Sequence, residues 1–92
     1  MADYSGTITS GTNAQTAAAA DVSRNTLMLQ NPGVTEMYYA FGTTAVQASP
    51  SILLSAGDTH FWPVGFRDLI CRSISIIGPT TSSAFTIFDA KV

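Results

Sequence analysis

From residue 21 onward, apolar and polar residues alternate in short runs that end at Gly, Pro, Asn or Asp. Leu27 and Leu29 alternate with Met28 and Gln30, for example, which is the period of two of a half-buried strand. Turn residues recur roughly every 8–12 positions, and no long amphipathic helical pattern interrupts them. The sequence therefore predicts an all-β fold, either a small β-sandwich or a jelly-roll-like barrel. The predicted strands cover residues 22–30, 36–41, 52–54, 59–63, 69–77 and 84–89.

Residues 1–20 have a different composition from the rest of the chain. They are rich in Gly, Ser, Thr and Ala, and Tyr4 and Ile8 are their main large apolar side chains. The alanine-rich run at 15–20 favours one helical turn by propensity, but it is too short to be a stable helix alone. We therefore expect an extended N-terminal arm over 1–20 and a β-domain over 21–92. The arm is expected to be mobile or to be anchored on a neighbouring subunit by Tyr4 and Ile8.

The low content of charged residues narrows the class of protein. Only 11% of the residues are charged, against about 25% in a typical soluble domain. Such a surface gives a free monomer little protection against association. The chain has 92 residues and one cysteine, so a modest core has no disulfide to support it. These features predict a subunit of an oligomer or of a larger shell.

The distribution of charge and apolar residues excludes several other classes. Arg24, Arg67, Arg72 and Lys91 are scattered along the chain and form no basic stripe, so we expect no nucleic-acid partner. No apolar run reaches about 18 residues, and no basic segment precedes an apolar one at the start, so neither a transmembrane helix nor a secretory signal is predicted. The single histidine, His60, is too little for a structural metal site.

The candidates for catalysis are weak. Asp58 and His60 would project to one face of a strand, but no serine lies in a G-x-S-x-G turn and no oxyanion loop is visible. Cys71 could be a nucleophile activated by Arg67 or Arg72, but it lies in an apolar run, where a free cysteine usually acts as a small buried hydrophobe. The glycines form no phosphate-binding loop. We therefore predict no enzymatic activity and no cofactor.

The aromatic residues are better candidates for function. Alternation puts Tyr38 and Tyr39 on opposite faces of their strand, and the same holds for Phe61 and Trp62. Outward aromatic side chains are favoured at protein interfaces. Two alternatives remain open, namely a core that buries both faces and a surface that stacks on sugars. The residues predicted to form an interface are Tyr4, Ile8, Tyr38, Trp62 and Phe66.

Several segments resemble a known family. Residues 24–32 have the form R-x-x-L-x-L-Q-N-P, and they are followed by Tyr-Ala-Phe-Gly-Thr-Thr-Ala at 39–45, Ser-Ile-Leu-Leu-Ser-Ala-Gly-Asp at 51–58 and Phe-Thr-Ile-Phe-Asp at 85–89. This order is similar to that of small β-sandwich proteins among the structural proteins of tailed bacteriophages. The likeness covers about residues 22–89. It departs from the family pattern at Ala56, where proline is usual.

The resemblance implies a capsid cement (decoration) protein that binds the outside of the phage head as a homotrimer. Its partners would be further copies of itself and the major capsid protein. It would be made in the bacterial cytoplasm and would end on the virion surface. The same resemblance also allows a tail, baseplate or head-fibre component, or an appendage that binds a receptor or a glycan.

Overall fold

A computed structural model describes residues 2–91 of the chain. It contains nine strands and two short helical segments, which together confirm the predicted all-β fold. The strands are β1 Ala2–Asp3, β2 Gly6–Thr7, β3 Gln15–Ala18, β4 Arg24–Gln30, β5 Met37–Phe41, β6 Ile52–Leu54, β7 Thr59–Trp62, β8 Ile74–Ile77 and β9 Ala84–Lys91. Between β7 and β8 lie a 3-10 turn over Val64–Phe66 and a single α-helical turn, α1, over Arg67–Ile70.

The strands form two antiparallel sheets. In the first sheet β9 lies between β4 and the N-terminal strands, and β4 also pairs with β7. Because β1 pairs with residues 88–89 of β9 and β2 pairs with residues 84–85, these two short strands share one edge position. The second sheet has the order β3-β8-β5-β6. The molecule is therefore a small β-sandwich with about four strands in each layer.

The alternation in the sequence explains which side chains fill the space between the sheets. Leu27 and Leu29 of β4 belong to the same buried cluster as Tyr39 of the second sheet, whereas Met28 points to the opposite face. Each large aliphatic side chain buried in this way contributes roughly 1.5–3 kcal/mol. The core consists of Ile8, Ala18, Leu27, Leu29, Met37, Tyr39, Phe41, Leu54, Ile70, Ile74, Ile76, Phe85 and Ile87.

The structure corrects the prediction for the N-terminal residues. Within residues 2–18, β1 and β2 pair with β9 of the same chain and β3 pairs with β8, and Ile8 is only 1% exposed. The run at 15–18 is a strand because its hydrogen bonds to β8 outweigh the weak helical preference of its alanines. The predicted boundary at residue 20 is therefore not a boundary between a free arm and a domain. The alternation of apolar and polar residues did not reveal these edge strands, because Ile8 and Ala18 are the two residues of 2–18 that belong to the buried core.

The predicted strand at 69–77 was too long. Residues 67–70 form α1, and β8 begins only at Ile74. The chain must cross from the first sheet to the second between β7 and β8, and α1 makes that crossing beside β4. Its buried residue, Ile70, closes this end of the core. An apolar run at a sheet-to-sheet crossing does not show by itself whether it forms strand or helix.

Candidate functional site

The outer face of the first sheet carries a patch of apolar side chains. Met28 of β4 lies directly across from Phe61 of β7 on one side and from Phe88 of β9 on the other. Together with Thr26 and Ala90 they surround a shallow depression of about 170 Å³. We call these five residues the outer apolar face. Phe61 is exposed and the other four residues are half-buried. Because the five adjoin one another, they form a candidate binding surface.

No charged side chain of the described residues points into this depression. Asp89 contributes to its lining, but the residue is only 1% exposed and its carboxylate binds Arg24 on the inner side. The face therefore has no charge with which to select a charged ligand. An uncharged apolar surface favours a partner surface of the same kind.

The edge of the sheet beside this face is also apolar. Phe61, Val64 and Phe66 are 63%, 55% and 50% exposed. They belong to β7 and to the turn that follows it, and we call the segment 59–66 the β7 edge. It contains no Asp, Glu, Lys or Arg. Exposed apolar residues thus continue from the outer apolar face around the side of the sandwich.

A chain of hydrogen bonds fixes β7 against the second sheet. The indole N–H of Trp62 donates to the Tyr39 hydroxyl at 3.1 Å, and the same hydroxyl lies 2.7 Å from His60 Nδ1. Since the hydroxyl oxygen accepts from Trp62, its own hydrogen is available to donate to His60. Burial raises the pKa of Tyr39 to about 12. Both inward side chains of β7 are therefore held from the core side, which leaves Phe61 presented outward.

The structure does not pair His60 with Asp58. Asp58 is exposed, and the partner of His60 Nδ1 is the Tyr39 hydroxyl. Cys71, which was expected to be buried in a strand, is half-buried at the end of α1, where its thiol lies 3.4 Å from the Arg24 carbonyl oxygen. The Val22 and Arg24 carbonyl oxygens that the Cys71 thiol contacts also accept from the Arg67 guanidinium.

The buried charges have a structural role. Arg24 is fully buried, and its Nε donates to Asp89 Oδ2 at 2.9 Å. Its terminal nitrogens donate to three carbonyl oxygens, and the Tyr4 ring lies 5.3 Å from the guanidinium carbon. Burial opposes the charge, but the hydrogen bonds to Asp89 and Tyr4 outweigh it and raise the pKa of Arg24 above its ordinary value. The three carbonyl acceptors are those of Ala19, Ile70 and Arg72.

Asn31 has a similar role at the other end of β4. It is fully buried, and its side-chain amide donates to the carbonyl oxygens of Thr35 and Leu54 at 2.7 and 3.1 Å. Its side-chain oxygen accepts from the Gly33 amide at 3.1 Å. Among the described residues, every buried side-chain nitrogen or oxygen has a hydrogen-bond partner. The buried polar groups are therefore satisfied and do not point to a ligand.

The predicted interface residues do not come together in one place. Tyr4 is partly buried, with its hydroxyl 3.1 Å from Asp89 Oδ2, and Ile8 lies in the core. Both serve the chain's own fold, which corrects their assignment to a neighbouring subunit. Tyr38 is half-buried on the outer side of the second sheet, opposite to Tyr39. Only two of the five lie at the β7 edge, namely Trp62 and Phe66.

The predicted alternation of aromatic residues is confirmed, but at β7 the outward member was chosen wrongly. Trp62 packs edge-on against Phe41 at 5.2 Å between ring centroids, whereas Phe61 is exposed. The prediction also missed Met28 and Phe88. Their signal was present, because each alternates with core residues on strands whose inward positions were clear. Met28 and Phe88 were overlooked because an outward apolar residue is ordinary when it stands alone.

Comparison with protein-family models, curated proteins and solved structures finds no match for this chain. Within residues 2–91, no group of three or more His, Cys, Asp or Glu side chains is placed to hold a metal ion. None of the helices in that part of the chain is long and apolar enough to cross a membrane. The outer apolar face and the β7 edge share the exposed Phe61, and together they are the candidate functional site.

Proposed function

We propose that this chain is a structural protein of the capsid decoration type, which binds the outer surface of a phage head as a homo-oligomer and stabilises the shell. The observation that carries the proposal is the outer apolar face, an uncharged patch centred on Met28 on an otherwise sparsely charged molecule. The phage head and the trimer come from the sequence resemblance over residues 22–89. The sandwich is consistent with that resemblance in fold alone.

The face itself is small, and its size indicates how such a protein would act. Three strands spaced about 4.8 Å apart, with about four residues each, span roughly 14 Å by 13 Å. This is well below the roughly 800 Å² per partner of a standard stable interface. A single copy would therefore bind weakly. Linked copies in an oligomer bind much more tightly because each later contact becomes intramolecular.

Stabilisation of the shell then follows from mass action. A protein that binds the assembled shell but not its separate subunits shifts the equilibrium towards the shell. This mechanism needs no catalytic group, and it agrees with a buried polar network that is fully engaged in holding the fold. We expect the assembled virion to carry the protein on its head and to contain the major capsid protein as its partner.

The test is binding to phage heads prepared without this protein. We expect the wild-type chain to restore full occupancy, measured by quantitative gel analysis and electron cryomicroscopy. Met28→Lys puts a charge in the centre of the depression and should abolish occupancy. The matched control is Leu53→Lys, which changes a 41% exposed leucine on an edge strand of the other sheet and should leave occupancy unchanged.

Two results would overturn the proposal. Failure of the wild-type chain to bind heads would exclude a decoration role, and labelling confined to the tail would favour the tail or baseplate alternative. A glycan-binding appendage has less support from the site. Trp62, which could stack on a sugar, is turned inward, and Thr26 is the one described residue lining the depression that carries a hydroxyl group. Saturation-transfer NMR with a sugar panel that gave contacts at Tyr38 would favour that reading.

A further inference from the structure

We infer that the free edge of β7 pairs with β7 of a second copy about a two-fold axis, so that the first sheet continues from one molecule into the next. This goes beyond the proposed function, because it names a contact and its partner without reference to a phage head. It depends on three features of the β7 edge: the direction of its backbone groups, its self-complementary sequence and its lack of charge.

The direction of the backbone groups follows from the hydrogen bonds at the two sides of the sheet. Antiparallel pairs alternate between hydrogen-bonded and non-hydrogen-bonded positions. The Asn31 amide donates to the Asp58 carbonyl at 2.9 Å, which makes this a hydrogen-bonded position. Counting along the ladder from there, Leu29 bonds to His60 and Leu27 bonds to Trp62.

A second observation on the far side of the sheet agrees with this assignment. Ile87 of β9 lies across from Leu29, and its carbonyl accepts from the Tyr4 amide at 2.8 Å while its amide donates to Ser5 Oγ at 3.1 Å. The backbone groups of Ile87 therefore point away from β4, so those of Leu29 point towards β7. It follows that the N–H and C=O groups of Thr59 and Phe61 point to the free edge. Within residues 2–91 no other group meets them.

These unpaired groups fit those of a second copy. In an antiparallel pairing, Thr59 of one molecule bonds to Phe61 of the other and Phe61 bonds to the other's Thr59, with the two His60 residues facing each other at the axis. This register makes four hydrogen bonds. A shift by two residues towards the C-terminus brings in Pro63, which has no N–H to donate. A shift by two residues towards the N-terminus would use Gly57, whose N–H already donates to the Asn31 carbonyl of its own chain at 2.8 Å. These two restrictions favour the register centred on His60.

The charges also permit self-pairing. Asp58 of one copy faces Trp62 of the other in this register, and the two Asp58 carboxylates are separated by about 13 Å along the strand. That distance exceeds the screening length of about 8 Å at physiological ionic strength. With no charged residue in 59–66, the edge lacks the lysines that usually keep edge strands apart. An uncharged, self-complementary edge is best matched by its own copy.

The other sheet edges are less suited to pairing. The pairing of β3 shifts register between Thr16 and Ala18, and a bulge of this kind disrupts an edge ladder. The opposite edge of the first sheet is broken between β1 and β2, and β6 has only three residues. Among the described strands at sheet edges, β7 is the longest one with an unshifted register. Phe61 of β7 is also exposed, and a second copy paired at this edge would partly cover it.

Pairing at β7 does not by itself close a trimer, because a two-fold contact joins copies in pairs. A trimer would need another surface, and both contacts together would give six copies. The two outer apolar faces would then lie side by side on one continuous sheet. This doubles the surface for a shell and provides the multivalency that a small face requires.

The experiment measures the mass of the purified chain over a concentration series by light scattering and sedimentation, together with amide hydrogen exchange. We expect a mass of two protomers, or six if the trimer contact is also made. The amides of Thr59 and Phe61 should exchange slowly at high concentration and rapidly at low concentration. Amides on the β6 edge should exchange at the same rate throughout.

Two variants separate the backbone contact from the side-chain contact. Phe61→Lys introduces a charge at the edge, and Thr59→Pro removes a donor that points away from β4 and so leaves the internal ladder intact. Each should raise the dissociation constant of the pair at least about tenfold, with an unchanged far-ultraviolet circular dichroism spectrum. Leu53→Lys is the matched control and should leave the dissociation constant unchanged.

Three results would overturn the inference: a single protomer at high concentration, pairs that persist in both variants, or a trimer whose Thr59 and Phe61 amides stay unprotected. Head binding distinguishes this failure from failure of the proposed function. A chain that coats heads as a trimer without β7 pairing refutes only the inference. A chain that pairs at β7 but does not bind heads refutes only the decoration role.

Discussion

Replacing Arg24 with methionine tests whether the buried ion pair organises the sandwich. Methionine keeps most of the length and apolar volume of the side chain but removes the guanidinium. The change deletes the 2.9 Å ion pair with Asp89 and the donors to three backbone carbonyl oxygens. Because both charged side chains are fully buried, the Asp89 carboxylate would be left in the interior without its cation.

Breaking a buried ion pair from one side typically costs about 3–5 kcal/mol. A domain of 92 residues has a total stability of roughly 5–14 kcal/mol at the usual 0.05–0.15 kcal/mol per residue. Arg24→Met is therefore expected to remove a large part of the stability. At about 4–8 °C per kcal/mol for a domain of this size, the melting temperature should fall by at least about 12 °C.

The assay is equilibrium unfolding in urea followed by tryptophan fluorescence, since Trp62 is the single tryptophan. Arg67→Met is the control, because Arg67 is exposed and, within residues 2–91, donates only to the backbone carbonyl oxygens of Val22 and Arg24, at 3.0 and 3.4 Å; its cost should stay within about 0.5 kcal/mol. Adding Asp89→Leu to Arg24→Met should recover part of the loss. A cost below about 1 kcal/mol for Arg24→Met would refute the structural role of the pair.

Three further predictions concern the other buried groups. Asn31→Ala leaves the carbonyls of Thr35 and Leu54 without their donor, and urea unfolding should show a loss of about 1–3 kcal/mol. Ile8→Ala should cost about 2–5 kcal/mol by the same assay, whereas an N-terminal arm outside the fold would give no change. The pKa of Tyr39 is raised in the folded state to about 12, from about 10 when unfolded, so its contribution to stability is complete below pH 10 and is lost as the pH rises towards 12. Absorbance titration at alkaline pH should show a tyrosine ionisation near pH 12 that Tyr39→Phe removes; the absence of such a late phase in the wild-type chain would contradict the burial.

Much of the sandwich could be predicted from periodicity, because its inner strands carry large residues at every second position. Leu27, Leu29 and Ile87 made β4 and β9 recognisable without any structure. The N-terminal strands could not be predicted in this way, since Gly6 and Thr7 pair with β9 through backbone groups that leave no apolar pattern. The prediction for residues 67–70 was wrong for a different reason. The chain changes from the first sheet to the second there, and this change, which the local pattern does not show, requires the helical turn.

The candidate site was harder to predict, because one must know which strands are neighbours as well as which side chains point outward. Alternation alone placed one member of each aromatic pair outward, and it did so without fixing which one at β7. The cluster of Met28, Phe61 and Phe88 exists only because β4 lies between β7 and β9 in this register. Three single outward residues on three strands are unremarkable until their neighbours across the sheet are known.

The register also explains what the motif R-x-x-L-x-L-Q-N-P encodes. Arg24, Leu27, Leu29 and Asn31 of this segment are buried, and they hold the two ends and the core of β4. Met28, between the two leucines, points outward and lines the depression. Substitutions at Met28 and Phe61 should accordingly change what the protein binds while leaving its stability nearly unaltered, and substitutions at Arg24 or Asn31 should do the reverse.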